Sequence, residues 1–143
     1  MSFSLSLYRA KNIHMASSRR KHAGVERELA RALTIACELA KGELIGFEWL
    51  THRVDYQRFP ESLVVTWVFE GDRSMNEAIA RQGAARMHAL TLAAFEDIGI
   101  TVKDIGRHVE FDSQERCDAL HGGDWTARLD SRQRSGRRHG QGH

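Results

Sequence analysis

Five side chains that bind metals or move protons, His108, Asp112, Cys117, His121 and Asp124, fall within one stretch, GRHVEFDSQERCDALHGGDW at residues 106–125. Cys117 and His121 are four apart, which puts both on one face of a helix, and His108 precedes them on a strand. The chemistry this pattern would serve is zinc held by His108, Cys117 and His121, with Asp112 or Asp124 as fourth ligand. Structural zinc sites usually show two paired-ligand knuckles, whereas here one pair stands among isolated residues. A capped helix uses the same residues more completely. Asp112 would be the N-cap with Glu115 closing the box, Cys117 and Leu120 the apolar face, and His121 the partner of the dipole's C-terminal end. Gly122 and Gly123 would then stop the helix. The stretch is read as a strand entering a capped helix, with no metal or other cofactor.

Catalysis finds no better footing elsewhere. Cys37 lies in an apolar-rich helix beside Ala36 and Leu39, where a thiol acts as a small hydrophobe. Glu115 and Asp118 beside Cys117 would raise its thiol pKa rather than lower it. There is no nucleophile elbow, phosphate loop or dinucleotide fingerprint. Glu48, Asp55 and Glu70 have no paired lysine of nuclease type and read as a solvated face. The sequence therefore leans away from an enzyme. Phe47, Trp49, Trp67 and Phe69 would stack bases if exposed, but Trp67 and Phe69 alternate with Leu63 and Val65 and so belong to a core face.

Charge is distributed unevenly. The chain of 143 residues carries a formal net charge of +2, yet all 19 acidic residues lie between positions 22 and 130. Against them in that interval stand 12 Lys and Arg, so the middle carries −7. The other nine basic residues lie at the ends: Arg9, Lys11, Arg19, Arg20 and Lys21 before it, and Arg132, Arg134, Arg137 and Arg138 after it. Any attraction to the phosphates of DNA or RNA is expected from Arg19, Arg20, Lys21 and Arg132 to Arg138, with His52, Arg53 and Arg58 the only hint of a basic rim on the body.

The elements follow from periodicity. Val25, Leu29, Leu33, Ala36 and Ala40 mark a helix over 22–42. FEWLTHRVD and LVVTWVFEG predict an antiparallel pair of strands. Ser74 and Glu77 have capping-box spacing and open a helix to about Ile98, with Met75, Ile79, Met87, Leu90, Ala94 and Ile98 buried and Gly83 marking a kink or close approach. ITVKDIGRHVEF is a third strand whose change of phase predicts a one-residue bulge or a bend near Gly106. The fold class is α+β, in the order α-β-β-α-β-α: a two-layer domain with a three-strand mixed sheet backed by helices. Its second sheet face, expected to carry Glu48, Leu50, His52, Val54, Val64, Thr66 and Val68, needs cover from the last helix or from a second copy in a homodimer. Residues 22–130 form this domain. Residues 1–21 are expected to be a mobile basic segment, with 1–14 upstream of a true start at Met15, and 131–143 a disordered basic tail. No apolar run reaches membrane-spanning length, and two cysteines without a framework point to a reducing, cytoplasmic setting.

GFEWLTHRVDYQRFPESL together with KDIGRHVEFDSQERCDALHGGDW resembles small proteobacterial proteins labelled Fis-family transcriptional regulators, over roughly residues 22–129. The resemblance implies a regulatory role. The Fis DNA-binding unit is a C-terminal helix-turn-helix, whereas this chain has an acidic strand and SQERCDALHGGDW at that place, so no DNA-reading residue is carried across. The element order with a kinked second helix is also similar to the KH-like fold of ribosome-binding factor A, without the G-x-x-G clamp of RNA-binding KH domains.

Overall fold

The computed structural model describes residues 22–132. Helix α1 (Ala23–Lys41) buries Leu29, Ala32, Leu33, Ala36, Cys37 and Ala40 and ends at Gly42. One acidic residue, Glu26, shares that buried stripe. Strands β1 (Phe47–Arg53) and β2 (Val64–Phe69) pair antiparallel, and β3 (Val109–Ser113) joins β2 in parallel, giving the order β1-β2-β3. The mixed α+β sheet is as the sequence predicts.

Its faces are not. The register shifts between Phe47 and Trp49, so that Glu48 is an extra residue and Leu50 pairs with Trp67. This bulge reverses the alternation of everything after it. Leu50 and Val54 therefore join Phe47, Val65, Trp67 and Phe69 in the main core, while Trp49 turns to the second face with Val68. His52 follows Leu50 inward and is also buried. The expected placement of Leu50, His52 and Val54 on the second face is thus corrected by a single inserted residue.

The crossover from β2 to β3 is a broken helix. Helix α2 (Asp72–Ala78) passes through a π-helical turn at Ile79–Gly83 into α3 (Ala84–Asp97). Arg81 and Gln82 leave helical geometry there, with Gln82 at φ 68°. Gly83 is required because a Cβ at this position would lie 2.4 Å from the Ala78 carbonyl oxygen. Gly83→Ala is expected to destabilise by about 1–3 kcal/mol, overpacking outweighing the gain in helix propensity. Gly24→Ala is the control, since a Cβ there meets nothing within 4 Å. Thermal melts of both variants check the contrast: a Gly83→Ala protein as stable as Gly24→Ala would remove the steric explanation.

Helix starts are capped differently from the sequence reading. Ser74 does not form a capping box. Gly71 is the N-cap of α2, and the Ser74 hydroxyl donates to the Gly71 carbonyl. The Asp72 amide donates to Glu115, from α4 (Gln114–His121). Likewise Ser113, not Asp112, caps α4 by accepting from the Arg116 amide, and its own hydroxyl donates to Asp72. The two helix N-termini brace each other. The expected third strand is shorter: a 3-10 turn at Ile105–His108, opened by Asp104, is the bend near Gly106 that accounts for the change of phase.

A last helix, α5, occupies residues 125–132. It lies on the second sheet face, where Trp125 and Leu129 cluster with Trp49, Val68 and Cys117. Ser131 and Arg132 belong to this helix. No helix among the described residues is long and apolar enough to cross a membrane.

Candidate nucleic-acid interface

Two polar networks hold the points at which the described chain begins and ends. The first ties down the start of α1. Glu26, 8% exposed, accepts from the Tyr56 hydroxyl through Oε2, and its Oε1 lies 3.1 Å from Nε2 of His52. Tyr56 sits in a 3-10 turn (Tyr56–Arg58) after β1, and the His22 ring stacks on it with centroids 4.1 Å apart. Burial, aided by Glu26, raises the Tyr56 pKa above its ordinary value of 10.0, so the phenol remains a donor.

The second network holds α5. Asp112, fully buried, receives a forked pair of bonds from Arg128, Nε to Oδ2 at 2.6 Å and Nη2 to Oδ1 at 2.9 Å. Its hydrogen bonds to Asp112 raise the Arg128 pKa further. Arg132 reaches Glu110 at 3.2 Å and Asp112 at 3.4 Å. Glu110 also accepts from Arg53 at 3.0 Å and from the Thr66 hydroxyl at 2.6 Å. Burial pushes the Glu110 carboxyl upward, but the Arg53 guanidinium, the Thr66 hydroxyl and Arg132 outweigh it and hold the pKa below 4.5. Trp125 completes the anchor, edge-on to Trp49 at 4.8 Å and donating from Nε1 to Gln114.

His52 and Arg53 are consecutive in β1 and point to opposite faces, one to the α1 anchor and the other to the α5 anchor. Residues 22 and 132 are therefore fixed at the same end of the sheet, where β1 finishes and β2 and β3 begin. Arg58 and Arg107, both exposed, lie in the turns at that end, with Glu61 and Asp104 nearby in sequence. Of the expected rim, only Arg58 is exposed; His52 and Arg53 are interior anchors.

Among the phosphate-contacting candidates, Arg132 is the one within the described residues, and it is bound to carboxylates rather than free in a tail. Arg19, Arg20, Lys21, Arg134, Arg137 and Arg138 lie outside the described residues. On the body, Arg31, Arg53, Arg73, Arg86, Arg116 and Arg128 are also paired with carboxylates.

The zinc candidates are not brought together. His108 Nδ1 is 2.7 Å from the Leu63 carbonyl, and its ring meets Phe95 of α3 edge-on, on the main-core side. Cys117 lies in the second cluster across the sheet, and His121 is beside Arg128. Among the described residues, no three His, Cys, Asp or Glu could hold a metal ion. The Cys117 pKa is raised, first by burial and then, against the opposing Arg128, by Asp112, Asp118 and Asp124. Burial and the acidic neighbours thus disfavour the thiolate.

The residues the sequence did not single out are Glu26, Tyr56, Glu110 and the Asp112–Arg128 pair. Only Glu26 left a signal, an acid three positions before Leu29 on the apolar stripe. No family model matches the chain, and no curated protein or solved structure matches it either.

Proposed function

We propose that this chain is a non-enzymatic regulatory or nucleic-acid-associated protein that contacts the phosphate backbone of DNA or RNA through the basic segments flanking its domain. The observation supporting this reading is that the described chain starts and ends at one end of the sheet. Arg19, Arg20 and Lys21 are attached there through His22, and Arg134, Arg137 and Arg138 through Arg132. Two basic segments tethered to one end of a rigid body engage one polyanion with raised effective concentration for the second contact. The body carries excess negative charge, which disfavours a polyanion lying along it and directs contact to the flanks. Arg132 helps dock α5, so its role is to position the segment that follows. Contacts of this kind bind without reading sequence. A mobility-shift assay with duplex DNA tests the reading. Arg134, Arg137 and Arg138 changed together to Glu should abolish a shift given by the unaltered protein, and an unchanged shift would refute it.

A further inference from the structure

We propose that the outer face of α1 and α3 is the docking surface for a second copy of this chain. The two helices run antiparallel: Arg31 of α1 pairs with Asp97 at the end of α3, and Glu43, just past α1, pairs with Arg86 near the start of α3. Between these charged ends lies an apolar groove lined by Ile35, Leu39, Leu90 and Ala93. Ile35 and Leu39 are 52% and 51% exposed, half of the four large hydrophobic side chains exposed among the described residues. Of the exposed positions on α3, Ala85, Ala89 and Ala93 are small and Arg86, Glu96 and Asp97 are charged, and Ala93, which lines the groove, allows another backbone to approach closely.

The arrangement of charge selects the occupant. Along α1 the order is Arg31 then Glu43, and beside it on α3 the order is Asp97 then Arg86, so signs alternate around the apolar centre. Turn a second copy about a two-fold axis lying in this face. With the axis across the helices, each Arg31 falls opposite the partner's Glu43, and each Asp97 opposite the partner's Arg86. With the axis along the helices, each Arg31 falls opposite the partner's Asp97, and each Arg86 opposite the partner's Glu43. In both cases each of these four charges meets its opposite, Glu28 being a second acid on Arg31 at 2.9 Å, and every helix packs antiparallel on a helix of the other copy. A face that is complementary to itself is what an isologous dimer requires. This surface differs from the second sheet face, whose apolar residues are covered by α5. It rests on no nucleic-acid contact.

Sedimentation of the full-length chain without nucleic acid tests the proposal. The unaltered protein should sediment as a dimer. Ile35→Glu with Leu39→Glu, entering the interface twice, should raise the dimer dissociation constant about 100-fold or more, with the circular dichroism of the folded chain retained. Leu120→Glu, at an exposed leucine elsewhere, should leave the dimer intact. A monomeric unaltered chain overturns the proposal, as does a dimer that survives the Ile35/Leu39 change or is lost in the Leu120 variant. A chain that dimerises only after removal of residues 1–21 also overturns it, and assigns the groove to that segment instead.

Discussion

Replacing Arg128 with alanine is expected to destabilise the domain by about 3–5 kcal/mol, because it leaves a buried carboxylate without its principal partner. Asp112 is fully buried and takes a forked pair of bonds from Arg128. The Ser113 amide at 2.9 Å and Arg132 at 3.4 Å remain, and they place the loss toward the lower part of that range. Removing both charges behaves differently. Asp112→Leu combined with Arg128→Met exchanges an ion pair for apolar packing and should recover most of the stability. Urea denaturation, followed by the fluorescence of Trp49 and Trp125, reports both effects because these indoles touch across the same contact. If the double variant were as unstable as the single one, the buried pair itself would hold α5, and the loss in the single variant would not be the penalty of an unpaired carboxylate.

Glu26→Ala is the corresponding change at the other anchor, with an expected cost of about 2–4 kcal/mol. The carboxylate serves both the Tyr56 hydroxyl and the His52 ring, and truncation removes a buried acceptor from each at once. Glu26→Gln retains one acceptor oxygen at the same place and should lose less than half as much. The denaturation midpoints of the two variants give the comparison directly. Equal losses would mean that the negative charge matters and the geometry of the acceptor does not.

These two anchors also show what a linear reading can and cannot find. The helices were legible because their apolar stripes are set locally: Leu29, Leu33, Ala36 and Ala40 in α1, and Met75, Met87, Leu90 and Ala94 across the broken crossover are all buried. Gly83 was legible as a break for the same reason. The second sheet face was misassigned because a bulge at Glu48 costs one residue in sequence but inverts every later side chain of β1. Caps were misassigned where the partner comes from far along the chain, as Glu115 does for α2. Asp112 had the spacing of a cap, yet a partner sixteen residues on claimed it. The zinc pattern failed because His108 faces the main core while Cys117 lies across the sheet. Residue type and spacing reveal what can meet along one element; which face a strand presents is decided by its neighbours.

The functional account stands on where attraction for phosphate resides, and the salt dependence of binding measures that most directly. Counterion release makes the logarithm of affinity fall with the logarithm of salt in proportion to the phosphates neutralised, about 0.9 per contact on duplex DNA. Fluorescence anisotropy of a labelled duplex should give the full-length chain a slope between about −3 and −5, as expected for several of the six candidate residues Arg19, Arg20, Lys21, Arg134, Arg137 and Arg138 acting together. A chain with Arg19, Arg20, Lys21, Arg134, Arg137 and Arg138 changed to Gln retains both anchors and should bind negligibly, with a slope near zero. An unchanged slope and affinity in that variant would place the attraction elsewhere than on these six residues and contradict the account.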